Sequence, residues 1–491
     1  MESNPSPWTP NWGKDLPASL VVFLVALSLS LGIAVASGAP PLSGLIAAAV
    51  GGIVFGLFGG APMQVSGPAA GLTVMVYGYV QQFGMPSLGV IVVIAGVLQM
   101  TGGVLRIARA AMAMSPAVLH AMLAGIGVLI TLGQVRGLFG AKPGKNAIDN
   151  LATMPDVIAN ATSAPMIIGG VTLAVLLLWP KLEKKVPFLP GSLAAVLVGT
   201  LVSFALPGDF PHVEITGSLL DAIHLPTFGS HHLTDFLGAG IALAIVASAE
   251  SLLCAVATDN LHSGARANLD RELFGQGLGN TLSGLLGGLP ITGVIVRSSA
   301  NITAGARTRW SAILHGVWMA VFVLLFSGLL TKVPMAALAA LLVHVGVKLV
   351  KIKEVKKVAE FGDLLVYLVT IGGVVFWNLL WGIGLGFGLA IVLLLKRVGT
   401  VDIVSTEQEN GDVDVQVRGN LSFLAVPALV ARLRELPPKR TVVMHFDVDS
   451  IDHAAIEAVR NWRLGYEKSG GKVVKAALDE LWRELVGKPA A

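Results

Sequence analysis

A chain of 491 residues that is 54% hydrophobic and only 13% charged, with a formal net charge of +4, has too little polar surface for a water-soluble globule and belongs in a bilayer. Its single cysteine, Cys254, excludes a disulfide framework and a cysteine-based metal site. The basic residues stand in short clusters between apolar segments instead of on one continuous face, which argues for membrane topology and against nucleic-acid binding.

Residues 1–14 are polar and Pro-rich without the pattern of a removable signal peptide, so the first apolar segment is expected to remain as a span. Apolar segments then fall near 16–37, 43–58, 68–82, 87–105, 116–134, 164–180 and 190–206. A second set lies near 233–258, 272–287, 294–304, 310–331, 334–349, 363–378 and 380–396, and some of these are too short to cross about 30 Å of hydrocarbon alone. Two sets of seven are predicted, residues 15–206 and 233–398, separated by an extracytoplasmic connection at 207–232.

With a cytoplasmic N-terminus, the inside connections carry Arg106 and Arg109, Lys181, Lys184 and Lys185, Arg266 and Arg271, Arg307 and Arg309, Lys348 to Lys357, and Lys396 with Arg397. The stretch 207–235 has none, and only Arg136, Lys142 and Lys145 run against the trend, so both termini are expected inside. An odd number of spans per half makes the halves inverted relative to each other. Gly59-Gly60-Ala61-Pro62 and Gly287-Gly288-Leu289-Pro290 precede the short third and tenth segments. Such interruptions in matching positions point to a transporter binding site, although GGxP is also a common loop signal.

Beyond Val401 the pattern turns soluble, with strands expected at 413–418, 440–447 and 472–477 and helices at 428–436 and 454–469, a small α/β domain over 401–491.

An anion carrier needs fixed positive potential in a cavity, which helix N-termini supply. The third segment opens with Gln64 to Ala70, where Pro68 suits a first helical turn and Ser66 can cap it, and the tenth opens with Thr292 to Ser298. Packing of small residues is the alternative. Arg297 stands in an apolar stretch, where a cation costs roughly 2.5 to 3.5 kcal/mol, so it reads as positive potential beside an anion or as a snorkelling or acid-paired residue. Glu250, also within an apolar segment, reads as a Na⁺ or H⁺ site or as a structural partner of Arg297. Asp259, Arg271 and Glu272 read as interfacial, and the ten histidines, the loop pair His231-His232 included, receive no role. The absence of a Walker loop leaves ATP-driven transport without support, and the chain reads as a transporter and not an enzyme.

Asp15-Leu-Pro-Ala-Ser-Leu20, Ser37 to Gly44, Val65-Ser-Gly-Pro-Ala-Ala-Gly71, Arg271 to Asn280 and Val296-Arg-Ser-Ser-Ala-Asn-Ile-Thr-Ala-Gly305 resemble the SulP family of anion transporters over essentially the whole chain. The C-terminal part resembles the STAS domain those proteins carry. The resemblance implies an all-α polytopic membrane protein of fourteen transmembrane segments as 7+7 inverted repeats, divided into core and gate domains, plus the small α/β STAS domain. It implies a bacterial inner-membrane protein, an elevator motion, a homodimer, and a cytoplasmic protein partner for the STAS domain.

Carried over by motif, the anion contacts fall on Ser28, Ser30, Ser66, Ala69, Ala70, Gly293, Val294, Ile295, Val296 and Arg297, and the coupling-ion contacts on Glu250, Cys254 and Gly293. No cofactor is implied beyond a co-transported Na⁺ or H⁺. Ser28-Leu29 and Val296 depart from the family's common residues, so substrate contacts do not transfer directly. The short C-terminal form with Val448 to His453 resembles a subgroup linked to inorganic carbon uptake; bicarbonate leads, with sulfate and C4-dicarboxylates as competitors. In some relatives of this domain a serine near Ser450 is phosphorylated, but the surrounding motif is missing and a structural Ser450 is expected.

Overall fold

The computed structural model describes residues 7–111, 115–144, 146–182, 185–186, 189–215, 223, 225–229 and 232–474. Lys145, Lys184, His231 and the expected third strand beyond Val474 lie outside the described residues. The chain forms two compact units, Met1–Phe387 and Gly388–Ala491.

In chain order the principal helices are α1 (Trp12–Ala36), α2 (Pro41–Phe58), α3 (Thr73–Phe83), α4 (Met85–Val104), α5 (Pro116–Leu138), α6 (Ser163–Leu182) and α7 (Gly191–Ser203). They continue with α8 (Leu233–Asp259), α9 (Leu269–Leu285), α10 (Ile295–Thr303), α11 (Trp310–Leu330), α12 (Met335–Leu349), α13 (Leu364–Phe376) and α14 (Leu379–Val398). Two three-residue strands, β1 (Ser66–Pro68) and β2 (Ile291–Gly293), precede α3 and α10. Among the described residues nine helices are long and apolar enough to cross a membrane, while α7 and α13 are apolar but shorter. Leu324, Leu325 and Leu329 stand outward on α11, an exposed apolar face that only lipid would solvate well.

Lipid gives helices no hydrophobic reason to associate, so close backbone packing has to hold them together. The α4–α9 crossing shows how. Gly89 and Gly96 on α4 meet Gly284 and Gly277 on α9, and a methyl group at any of the four would strike the facing backbone. A second device is the π-helical turn Gly51–Phe55 inside α2, which lets Gly52 pack on Gly316 of α11.

Asp15 in the first turn of α1 is fully buried. Its carboxylate accepts from the Arg307 and Thr308 backbone N–H groups at 2.8 and 3.0 Å and from the Thr308 hydroxyl at 2.6 Å, fastening α1 to the turn before α11.

The second unit carries a four-stranded sheet in the order β3 (Val401–Glu407), β4 (Val413–Leu421), β5 (Thr441–Ile451), β6 (Lys472–Val474), with β3 antiparallel to β4 and the other pairs parallel. Helices α15 (Val426–Arg434) and α16 (His453–Lys468) provide the crossovers that parallel strands need. Val415, Val417, Leu429, Val442 and Met444 fill its core. Strand β3, which had no counterpart in the sequence reading, is an edge strand with mostly exposed side chains, so it lacks the burial that would impose an alternating pattern. The Ser450 hydroxyl donates to Asn420 Oδ1 at 2.9 Å.

Candidate functional site

The two interrupted segments meet. β1 and β2 pair antiparallel with Ser66 opposite Gly293, Gly67 opposite Thr292 and Pro68 opposite Ile291, and the Val294 N–H extends the ladder to the Val65 carbonyl at 3.0 Å. Because the strands are antiparallel, α3 and α10 leave from opposite ends of the ladder, each directing its N-terminal, positive end toward it. The expected Pro68 helical turn and Ser66 cap are not what forms. Residues 66–68 are extended, helical structure starts as a 3₁₀ turn at Ala70–Leu72, and the Ser66 hydroxyl donates to the Thr292 carbonyl at 2.9 Å. An extended segment in a dry interior needs partners for its peptide groups, and β2 supplies them.

Arg297, in the first turn of α10, is fully buried. Its Nη2 donates to the Ser30 hydroxyl at 3.0 Å and to the Pro68 carbonyl at 3.2 Å, while Nε and Nη1 have no partner. Among the described residues it forms no ion pair, which removes both the snorkelling and the acid-paired readings. Gly67 lies against Nη1 and leaves no room for a side chain. Of the other residues assigned to the anion, Ala69 is buried beside the ladder, Ala70 and Val294 are half-buried, and Ile295 and Val296 are exposed. Ser28 is buried on α1, its hydroxyl donating to the Val25 carbonyl of its own helix at 3.3 Å.

Glu250 of α8 approaches the ladder from another side. Its carboxyl lies over Gly71, and Oε2 is buried without a partner. One helical turn on, Cys254 packs its Cβ against Gly293 and sets Sγ 3.8 Å from the Ser298 hydroxyl. Ser251 accepts the Gly293 N–H at 3.2 Å. Gln64, named in the sequence only as the opening of the third segment, also touches Gly293, and its Oε1 is a second buried acceptor without a donor.

Glu272, read from the sequence as interfacial, is enclosed by protein. It is fully buried, with Oε2 accepting the Gly60 and Ala61 N–H groups at 3.0 and 2.8 Å and Oε1 accepting Gln64 Nε2 at 2.7 Å. The start of α9 sits inside the bundle because the glycines at 59–60 bring the chain before β1 down onto it. His232, for its part, begins α8, its N–H donating to Asp235 Oδ2 at 2.8 Å.

Broken helices meeting around a buried cation inside a bundle of apolar spans define a multi-pass membrane transporter. Residues 13–370 match the sulfate permease family, and the chain belongs to it. It is 28% identical to the putative sulfate transporter YvdB of Bacillus subtilis, over 97% of this chain and 93% of that one. It is also 28% identical to the bicarbonate transporter BicA of Picosynechococcus sp., over 82% of this chain and 74% of BicA. The solved transmembrane domain of a cyanobacterial BicA superposes with a TM-score of 0.70 at 27% identity, covering 79% of this chain and all of that domain. The anion transporter SLC26A9 of mouse shares the fold at a TM-score of 0.79 and 16% identity, covering 100% of this chain and 88% of that one.

Proposed function

We propose that this protein is a secondary active transporter of small anions, bicarbonate first among them, coupled to Na⁺ or H⁺ through Glu250. The observation that carries the reading is Arg297: a fully buried guanidinium, steered by Ser30 and Pro68, with two nitrogens left to donate beside two converging helix ends. A small oxyanion supplies the acceptors those donors lack. On the other side of the ladder, Glu250 Oε2 and Gln64 Oε1 are acceptors without donors, which suits a cation or a proton as the second cargo. Since both cargoes touch residues of one hydrogen-bonded ladder, occupancy of one side alters the field at the other, and that is the physical basis of coupling.

In this reading the helices form fourteen spans as seven plus seven inverted segments in a bacterial inner membrane with both termini cytoplasmic. The ladder and its helices move as an elevator against a gate domain in a homodimer. The second unit is a STAS domain that meets a cytoplasmic protein partner. Proton symport of sulfate or a C4-dicarboxylate is the second reading, favoured for sulfate by the description of YvdB.

Uptake of labelled bicarbonate, sulfate and fumarate into proteoliposomes, with and without Na⁺ and a pH gradient, separates these. Bicarbonate uptake that rises with Na⁺ or an inward proton gradient is the expected result, and flux indifferent to both gradients would make the protein an uncoupled channel.

A further inference from the structure

Successive residues of a strand send their N–H and C=O groups to alternate sides. On β2 one side is taken by β1. The other side faces helices, and in a bilayer those groups need partners of their own. Ile291 has its N–H accepted by Asn280 Oδ1 at 2.7 Å, and its carbonyl accepts from Asn280 Nδ2 at 3.1 Å and from Gln276 Nε2. One amide thus reads both edge groups of one residue, as a third strand would. Gln276 Oε1 also accepts the Ser66 hydroxyl of β1 at 3.2 Å, so this side chain touches both strands. Glu272 holds the chain before β1 through three donors, and one of these, Gln64 Nε2, is also 3.5 Å from the Ser251 carbonyl on the helix of Glu250.

These three residues recur every four positions on α9 and are all at most 1% exposed. Spacing by four puts them on one face, directly opposite the ladder. Asn280 is itself held by Gln99 Oε1 of α4 at 2.8 Å, and Gln99 donates onward to Ser248 of α8 at 3.2 Å. Glycine contacts at the α4–α9 crossing leave α9 little freedom to shift.

We infer that Glu272, Gln276 and Asn280 are positioning residues, a polar stripe on α9 that sets the register of β1 against β2 and with it the distance between the two helix ends and Arg297. The stripe touches no cargo. Its consequence for transport rests on the function proposed above, whereas its consequence for the ladder does not.

The test uses full-length protein in nanodiscs and in proteoliposomes. Asn280→Leu removes both Asn280 bonds to Ile291 and leaves the one from Gln276, Asn280→Asp keeps the acceptor and loses the donor, and Thr281→Val alters the neighbouring position off the stripe. Amide exchange in peptides covering 60–68 and 289–294 should speed up about tenfold in Asn280→Leu and less in Asn280→Asp, with α5 and α12 unchanged and Thr281→Val silent. The half-saturating concentration of the transported anion should rise about tenfold, with the maximal rate per folded protein falling less. Unchanged exchange at both segments, or a rise shared by the whole bundle, overturns the positioning role. Faster exchange at the two segments with transport of every anion untouched upholds the stripe and counts against the ladder as the binding site.

Discussion

Arg297 Nη2 and the Ser30 hydroxyl are 3.0 Å apart and 267 positions apart in sequence, and that one bond aims the buried guanidinium of the second half using a helix of the first. Ser30 is oriented in turn by donating to the Ala26 carbonyl at 2.6 Å. Ser30→Ala removes a hydrogen bond to a charged group, so anion affinity should fall roughly tenfold at constant expression. Arg297→Ala should weaken binding further, and Arg297→Lys should not restore it, since a point charge lacks the planar fork. Titration of the purified variants with the transported anion checks both.

Glu250→Gln keeps the shape of the side chain and removes its charge. Uptake should lose its dependence on the Na⁺ or proton gradient while the protein remains folded, as judged by size-exclusion and thermal melting. Coupling that survives in this variant would reject the role given to Glu250.

Gly71 lies against that carboxyl, and a methyl group there would fall 2.5 Å from Glu250 Oε1. Gly71→Ala should push the carboxylate aside and raise the half-saturating cation concentration about tenfold or more, with a smaller effect on anion affinity at saturating cation. Measuring each half-saturation at fixed excess of the other cargo distinguishes this from general damage.

Asp15 tests stability instead of transport. Asp15→Ala leaves the buried Thr308 N–H and hydroxyl and the partly buried Arg307 N–H without their acceptor, at a cost of about 3 kcal/mol. Asp15→Asn, which keeps part of the bonding, should cost less. A clear fall in melting temperature for Asp15→Ala, with a smaller one for Asp15→Asn, is the expected order.

Much of the site was legible in residue order. The paired Gly/Pro interruptions located both broken segments, and the charge of Arg297 and Glu250 in apolar surroundings marked them as kept for a purpose. The ladder was not legible, because three residues are too few to display a period of two, and Ser66 next to Pro68 reads equally well as a helix start. Glu272 was read as interfacial from its place near the end of an apolar segment. The repeat Glu272, Gln276, Asn280 was the available signal that this helix turns a polar face inward.

The ladder also sets an order on the protein's birth. Ser66 and its acceptor Thr292 are separated by 226 positions, so at ordinary synthesis rates the first strand is made about 10 to 50 s before the second exists. Throughout that interval the earlier half resides in the membrane with peptide groups that only the later half satisfies. A nascent chain halted between the two would hold every helix of one half and no site at all, since both the second strand and Arg297 are still to be made.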